Sequence, residues 1–373
     1  MKTLLVIIDG LGDEPLEQFE QKTPWQIAYL PGIKSLAQQG QQGVIDLCQG
    51  DFAPDSMKCI LRLLAVEPED FPANRSYLEL FASEEKLSKD ETVWRCNLVQ
   101  VDRHRKLLAF NGKGLTDAAM RDAAFLIAQT QYKLKLLHLS AYRNLLVVKN
   151  AKPLDIKPPH ESLGENVDDL LKPLMEHCRV LKGFVKSSED KLKYLQNEKN
   201  AYYMFYPWGA AQKHITESFA LRQGGREGAV VAAAEIMRGI GKYLQMEVPK
   251  LPEATGDTDT VITSKFSKTL ELLQKYDFVL THFNGCDEAA HRKNPTEKVK
   301  FLEQLDKDFF SPLAACYKGP LKLLVIGDHI TSSLTGMHKV GAVPFVTAIL
   351  NAALPVNTLQ NYHDIWNFLY EGE

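Results

Sequence analysis

The sequence predicts an α/β fold in which a mainly parallel sheet is shared by both ends of the chain and a smaller α/β domain is inserted between them. Three observations predict it. The run Leu4 to Ile8 is continuously aliphatic, as in a strand buried on both faces of a parallel sheet. Two similar runs, Asp277 to Leu280 and Leu321 to Ile326, lie near the other end. Helical patterns separate them, and strands alternating with helices indicate a parallel sheet covered by helices. A length of 373 residues suits two or three domains and a large core that needs no disulfide or structural metal to fold.

Taken in order, the first strand ends at Asp9-Gly10, and the aliphatic Ile60-Leu61-Arg62-Leu63-Leu64 that follows Ser56 reads as a helix. From about Phe81 to Asp190 the character changes. Short strands such as Asn144 to Lys149 mix with charged helical stretches, and a loop carries Pro153, Pro158, Pro159 and His160. The expected division is therefore a core of residues 1–80 and 191–373 and an inserted domain of 81–190. Ala201 to Phe205 reads as a strand of the core. Glu227 to Met246 is alanine-rich with aliphatics on one side and reads as a helix. Val299, Leu302, Leu305 and Phe309 repeat at helical spacing after a start at Pro295-Thr296.

The net charge is −3, spread without long like-sign blocks, which argues against a dedicated nucleic-acid binder or a polybasic membrane binder. The six cysteines are scattered, with no C-x-x-C pair, and read as reduced thiols. The apolar run at the start stops at Asp9, short of a signal peptide, and no stretch reaches the length of a membrane helix. A soluble cytoplasmic protein is expected.

The chemistry lies just after the strands. The first delivers Asp9, another leads into Gly327-Asp328-His329, and the third leads into Asp287-Glu288-Ala289-Ala290-His291. Open parallel sheets place their sites beyond the carboxyl ends of their strands. Asp287 and His291 are four apart and share one helix face, and His338 follows on a loop entered through Gly336. Any one of these is ordinarily a cap or a solvated side chain. Together, three aspartates and three histidines suffice for two metal ions. Mixed oxygen and imidazole donors suit Mn, Zn or Fe, and paired metals are a common device for phosphoryl transfer. Ser56, in Ala53-Pro54-Asp55-Ser56-Met57, is a candidate nucleophile at a helix start. On spacing alone it reads as an N-cap, and a serine needs a base or metal to react at neutral pH.

These residues resemble the archaeal-type, cofactor-independent phosphoglycerate mutases of the alkaline phosphatase superfamily. The likeness runs in order through Val6 to Gly10, the Ser56 segment, Trp94 to Asn97, Tyr142-Arg143, Pro159-His160, Ala254 to Asp259, Asp287 to His291 and Gly327 to His329. It implies an alkaline-phosphatase-like core holding two divalent metals, Mn or Zn, with Mg or Co admissible. Asp9, Ser56, Asp328 and His329 would surround one metal, and Asp287, His291 and His338 the other. Ser56 would take the phosphate from one hydroxyl of phosphoglycerate and return it to the other, with Lys265 neutralising phosphoryl oxygens. The inserted domain would close over this small phosphorylated metabolite, with Arg95, Asn97, Arg143 and His160 as contacts.

Three departures mark the chain as divergent. Met57 follows the serine where the family carries an acidic residue. Tyr206-Pro207-Trp208-Gly209 stands where the family usually has an arginine near a glycine. Phe110-Asn111-Gly112-Lys113-Gly114 replaces an Asp…Gly-Arg element, and Lys113 can supply the charge but not the bidentate fork. The metal set is complete while the substrate contacts are altered. The expectation is thus a phosphoglycerate mutase-like enzyme, with a phosphatase or a mutase for another phosphorylated metabolite as the alternative, and a catalytically silent homologue behind both.

Overall fold

The computed structural model describes residues 1–129, 133–195, 201–352 and 358–371, which form two units: Met1–Phe71 with Thr216–Glu373, and Pro72–Ile215. In the first unit the aliphatic run Leu4 to Ile8 lies in strand β1 (Lys2–Ile8), whose residues from Leu4 onward are fully buried. Around it stand β2 (Gly40–Ile45), β8 (Gly228–Val231), β9 (Phe278–Phe283), β10 (Leu321–Gly327) and β13 (Val343–Leu350). The sheet order is β2-β13-β10-β1-β9-β8, and β10, β1, β9 and β8 run parallel. β13 runs antiparallel to both β10 and β2. A two-stranded ribbon of β11 (Ile330–Thr331) and β12 (His338–Lys339) follows β10. The residues after β1, β9 and β10 therefore emerge side by side at one end of the sheet.

The helical spacing from Pro295 is a real helix, Pro295–Leu305, continued through Asp306–Phe310 and Ser311–Cys316; its Leu302, Leu305 and Phe309 pack beneath the sheet. Another expectation fails. Glu227 to Met246 is not one helix: Gly228–Val231 is β8, and the helix spans Glu235–Tyr243. The apolar segment ending in two β-branched valines adds to the open edge of β9, and that pairing outweighs the helix propensity of the alanines. Among the described residues no helix is long and apolar enough to cross a membrane.

The second unit is built on an antiparallel sheet of β3 (Glu91–Val101), β4 (Leu107–Ala109), β5 (Leu134–Ser140), β6 (Arg143–Lys149) and β7 (Tyr202–Gln212). It begins before and ends after the expected 81–190. The helix Arg75–Ala82 belongs to it, and so does β7, which pairs with β3 from Thr92 to Val101. An apolar run such as Ala201 to Phe205 announces a strand but not its partner, which is why the sequence assigned it to the wrong sheet. The helices Asp117–Ala128 and Arg179–Lys191 cover this sheet through Ala123, Ala124, Ile127, Phe184 and Val185.

Candidate metal centre

All the predicted metal-facing residues lie in the first unit. Asp9 follows β1 and Asp328 and His329 follow β10, all three nearly fully buried. Asp287 and His291 sit on the short helix Gly285–His291 after β9, and His338 is in β12. Close approach of these loops depends on Gly10, whose φ is +64°; a Cβ there would lie 2.7 Å from the Cα of Asp287. The Gly10 amide donates to Asp328 Oδ1 at 3.0 Å. Beneath, the fully buried Lys298 ammonium donates to Gly12 O, Asp13 Oδ2 and Thr331 O at 3.0, 2.8 and 3.2 Å, tying the loop after β1 to the loop after β10.

Two groups of donors converge. Asp9, Asp328 and His329 place ligand atoms within 4.8 Å of one another, and so do Asp287, His329 and His338. His329 joins both groups, and its ring stacks on that of His338 with centroids 3.9 Å apart. His291 Nδ1 faces Gly336 O at 2.8 Å, which turns Nε2 to Asp287 Oδ2 at 3.2 Å. Thr331 donates to Asp287 Oδ1 at 2.6 Å and lies 3.1 Å from His329 Nδ1. Burial alone would raise the Asp287 pKa, yet His291 beside it and the His338 ring 3.6 Å from Oδ1 hold it well below the usual carboxylate range. The same contact with Asp287 lifts His291 to about 9. Burial lowers the pKa of His329, favouring the neutral imidazole that a metal requires.

The donor set fits divalent cations. Asp328 Oδ2 and His338 Nε2 are buried and make no hydrogen bond, in a pocket that collects three carboxylates. Buried polar atoms ordinarily find partners, and buried like charges need a counter-charge. A cation ligated by oxygen and imidazole answers both demands.

Ser56 meets this centre. It is the first residue of the helix Ser56–Leu63, but it is not the cap: Asp55 is, accepting from the Lys58 amide at 3.2 Å. The Ser56 hydroxyl is thereby left to face His329, with Oγ 2.9 Å from Nε2. Lys265 is buried on the helix Ile262–Lys275, and its ammonium donates to His282 O at 2.9 Å and lies 4.8 Å from the Phe283 ring centroid. Burial lowers its pKa to about 7. Its contact with the site is therefore through the His282 peptide.

The predicted substrate contacts lie in the second unit. Arg95, Asn97 and His160 gather around Trp208. The Arg95 guanidinium lies 4.5 Å above the Trp208 ring, the indole N–H donates to Asn97 Oδ1 at 3.0 Å, and the His160 ring stands edge-on at 5.6 Å. Arg95 also donates to Glu79 Oε2 at 3.1 Å. Burial lowers its pKa to about 10, with Glu79 opposing the shift. Arg143 pairs with Asn97 across β3 and β6 and donates to Ser140 Oγ at 2.7 Å. Lys113 is exposed, and its carbonyl accepts from Tyr203.

Sequence reasoning missed Glu79, Thr331 and His282. Glu79 is visible only as an i,i+4 partner of Arg75, with no hint of Arg95. Thr331 and His282 are polar residues buried close to the predicted ligands, and only the second had a signal: a histidine inside an apolar strand.

The profile of the metalloenzyme superfamily matches residues 1–357. Similar curated proteins include the 2,3-bisphosphoglycerate-independent phosphoglycerate mutase of Methanosarcina acetivorans, 28% identical over 95% of this chain and 92% of that protein. Phosphoglycerate mutase 2 of the same kind from Methanothermobacter thermautotrophicus is 29% identical over 93% and 89%. Among solved structures, a Pyrococcus horikoshii protein superposes with a TM-score of 0.79 at 22% identity, covering 99% of this chain and 96% of that one. The cofactor-independent phosphoglycerate mutase of Thermoplasma acidophilum gives 0.62 at 19% identity, covering 99% of both chains. These two share the fold. With the profile spanning nearly the whole sequence, the chain belongs to the metalloenzyme superfamily.

Proposed function

We propose that the chain is a metal-dependent phosphoryl-transfer enzyme that interconverts 2-phosphoglycerate and 3-phosphoglycerate through a phosphoserine at Ser56, without added bisphosphoglycerate. The observation that carries this is the Ser56 hydroxyl, free of a capping role and 2.9 Å from His329 Nε2. The names of the similar mutases supply the substrate. Asp9, Asp328 and His329, with Ser56, would hold one cation, and Asp287, His291 and His338 would hold the other. Mn or Zn suits these donors, with Mg and Co admissible. Such cations, when bound, acidify a neighbouring hydroxyl and neutralise phosphoryl oxygens.

The chain's own residues do the rest. Ser56 Oγ gives up its proton and bonds to phosphorus as the bond to the substrate oxygen breaks, and that oxygen takes up a proton to become a hydroxyl. The adjacent hydroxyl then attacks the phosphoserine, loses its proton, and Ser56 regains its hydroxyl. The N-terminal amides and dipole of the helix Ser56–Leu63 favour the negative charge of the transferring group. Arg143, His160 and Lys113 are the candidates for the substrate's anionic groups, and Arg95 and Asn97 hold their frame. In the cell this small phosphorylated metabolite would be met in the cytoplasm.

One observation favours a second reading. Arg95 is already committed to Glu79 and Trp208, so a phosphatase or a mutase for a different phosphorylated metabolite is the alternative. The test is a coupled assay of 3-phosphoglycerate conversion by metal-stripped protein resupplied with Mn or Zn, with released phosphate followed in parallel. Metal-dependent 2-phosphoglycerate is the expected product. Phosphate alone would favour the phosphatase, and no product in either channel with metals bound would mean another substrate or a silent homologue.

A further inference from the structure

The His282 ring belongs to neither donor group, yet it is among the most completely buried polar groups in the first unit, at 1% exposure. It lies in β9 beside Ile7 of β1, one residue before the end of that strand. Its Nε2 is 3.1 Å from Asp9 Oδ2. An imidazole ring carries at least one N–H, on one or other of its two nitrogens. An ionised carboxylate only accepts. A proton must therefore sit on Nε2 and be donated to Asp9. Nδ1 is buried without a hydrogen bond. The ring is held from its main-chain side as well, because Lys265 donates to the His282 carbonyl at 2.9 Å.

We infer that His282 is a positioning residue for the Asp9 carboxylate: its Nε2–H fixes Oδ2 and turns Oδ1 toward the group formed with Asp328 and His329. Oδ1 lies 3.4 Å from His329 Nε2, on the side where those ligand atoms converge. Asp9 and Asp328 are two buried carboxylates in one small cluster, and the Nε2–H bond to Oδ2 limits how the Asp9 group can turn. A hydrogen bond behind a ligating carboxylate sets its orientation and its affinity for metal. In this role the buried Lys265 holds the strand that carries the orienting ring. The inference rests on the metal centre proposed above.

The test is a Mn titration of metal-stripped protein by calorimetry, with wild type, His282→Met and His282→Gln compared, and circular dichroism to establish folding. Methionine fills the volume without a donor, whereas the glutamine amide can take the place of Nε2–H. In His282→Met one of two binding events should weaken by about 10- to 100-fold while the other is unchanged, and His282→Gln should recover most of the loss. Unchanged binding of both ions in folded His282→Met would overturn the positioning role. So would equal weakening of both events that glutamine fails to rescue, which would mark a packing role. If His282→Met does not fold, His282→Gln decides alone, against His282→Asn, whose shorter amide does not reach: equal affinities in the two would overturn the inference. Failure of the wild type to bind Mn at all would instead remove the metal centre itself.

Discussion

The two units each bury a cluster of charged and polar side chains, and the clusters are built in opposite ways. In the second unit the charges satisfy one another: Glu79 takes both Arg75 and Arg95, Trp208 lies under Arg95, and its indole N–H is taken by Asn97. In the first unit carboxylates gather with carboxylates, and Asp328 Oδ2 and His338 Nε2 are left without hydrogen bonds. A self-satisfied cluster is a frame, whereas an unsatisfied one is a receptor for something else. Function should therefore be lost at the first cluster and stability at the second.

The largest effect should come from His329→Ala, because His329 belongs to both donor groups. Bound metal should fall sharply, and phosphoryl transfer by about a thousandfold or more, as expected when several kcal/mol of charge stabilisation disappear. Metal analysis alongside the assay checks this, and full metal content in the variant would break the contrast.

Glu79→Gln should act on stability. Arg95 and Arg75 would lose their counter-charge, and breaking such a buried pair costs about 3 kcal/mol. Chemical denaturation measures it, with metal content unchanged. A loss of activity at full stability would instead place this cluster in substrate binding.

A smaller effect should come from Lys265. Its amine, lowered to about 7 by burial, has already lost its proton over a range where the unfolded chain still binds one. Stability should thus rise as pH climbs from about 7 toward about 10.4, the ordinary lysine value. Lys265→Met should remove that rise, which melting curves across this range would detect; parallel curves for the two proteins would contradict it.

Much of the first cluster was legible in the sequence because its residues follow strands directly. Asp9, Asp287 and Asp328 each stand within a few positions of an aliphatic run, and a parallel sheet brings such positions together. The partners that complete the site were less visible. Nothing local distinguishes Thr331 from a core residue, and the histidine inside the apolar strand β9 does not say what it faces, since their meaning depends on a neighbour 44 or 273 positions away. Asp55 displaced Ser56 as the cap through a one-residue shift in the helix start, below the resolution of spacing arguments. In the second unit the residues around Trp208 were named, but not that they would spend their hydrogen bonds on one another. The partner of β7 was hidden for the same reason: long-range pairing is not written in the strand itself.

Covalent transfer through Ser56 is tested most directly by mixing Mn-loaded protein with 3-phosphoglycerate, quenching in acid during turnover and mapping phosphate by peptide mass spectrometry. Phosphate on Ser56, present only with metal and absent from Ser56→Ala, which should still bind Mn, is the expected result. Normal turnover by Ser56→Ala, or turnover by the wild type with Ser56 never labelled, would contradict it.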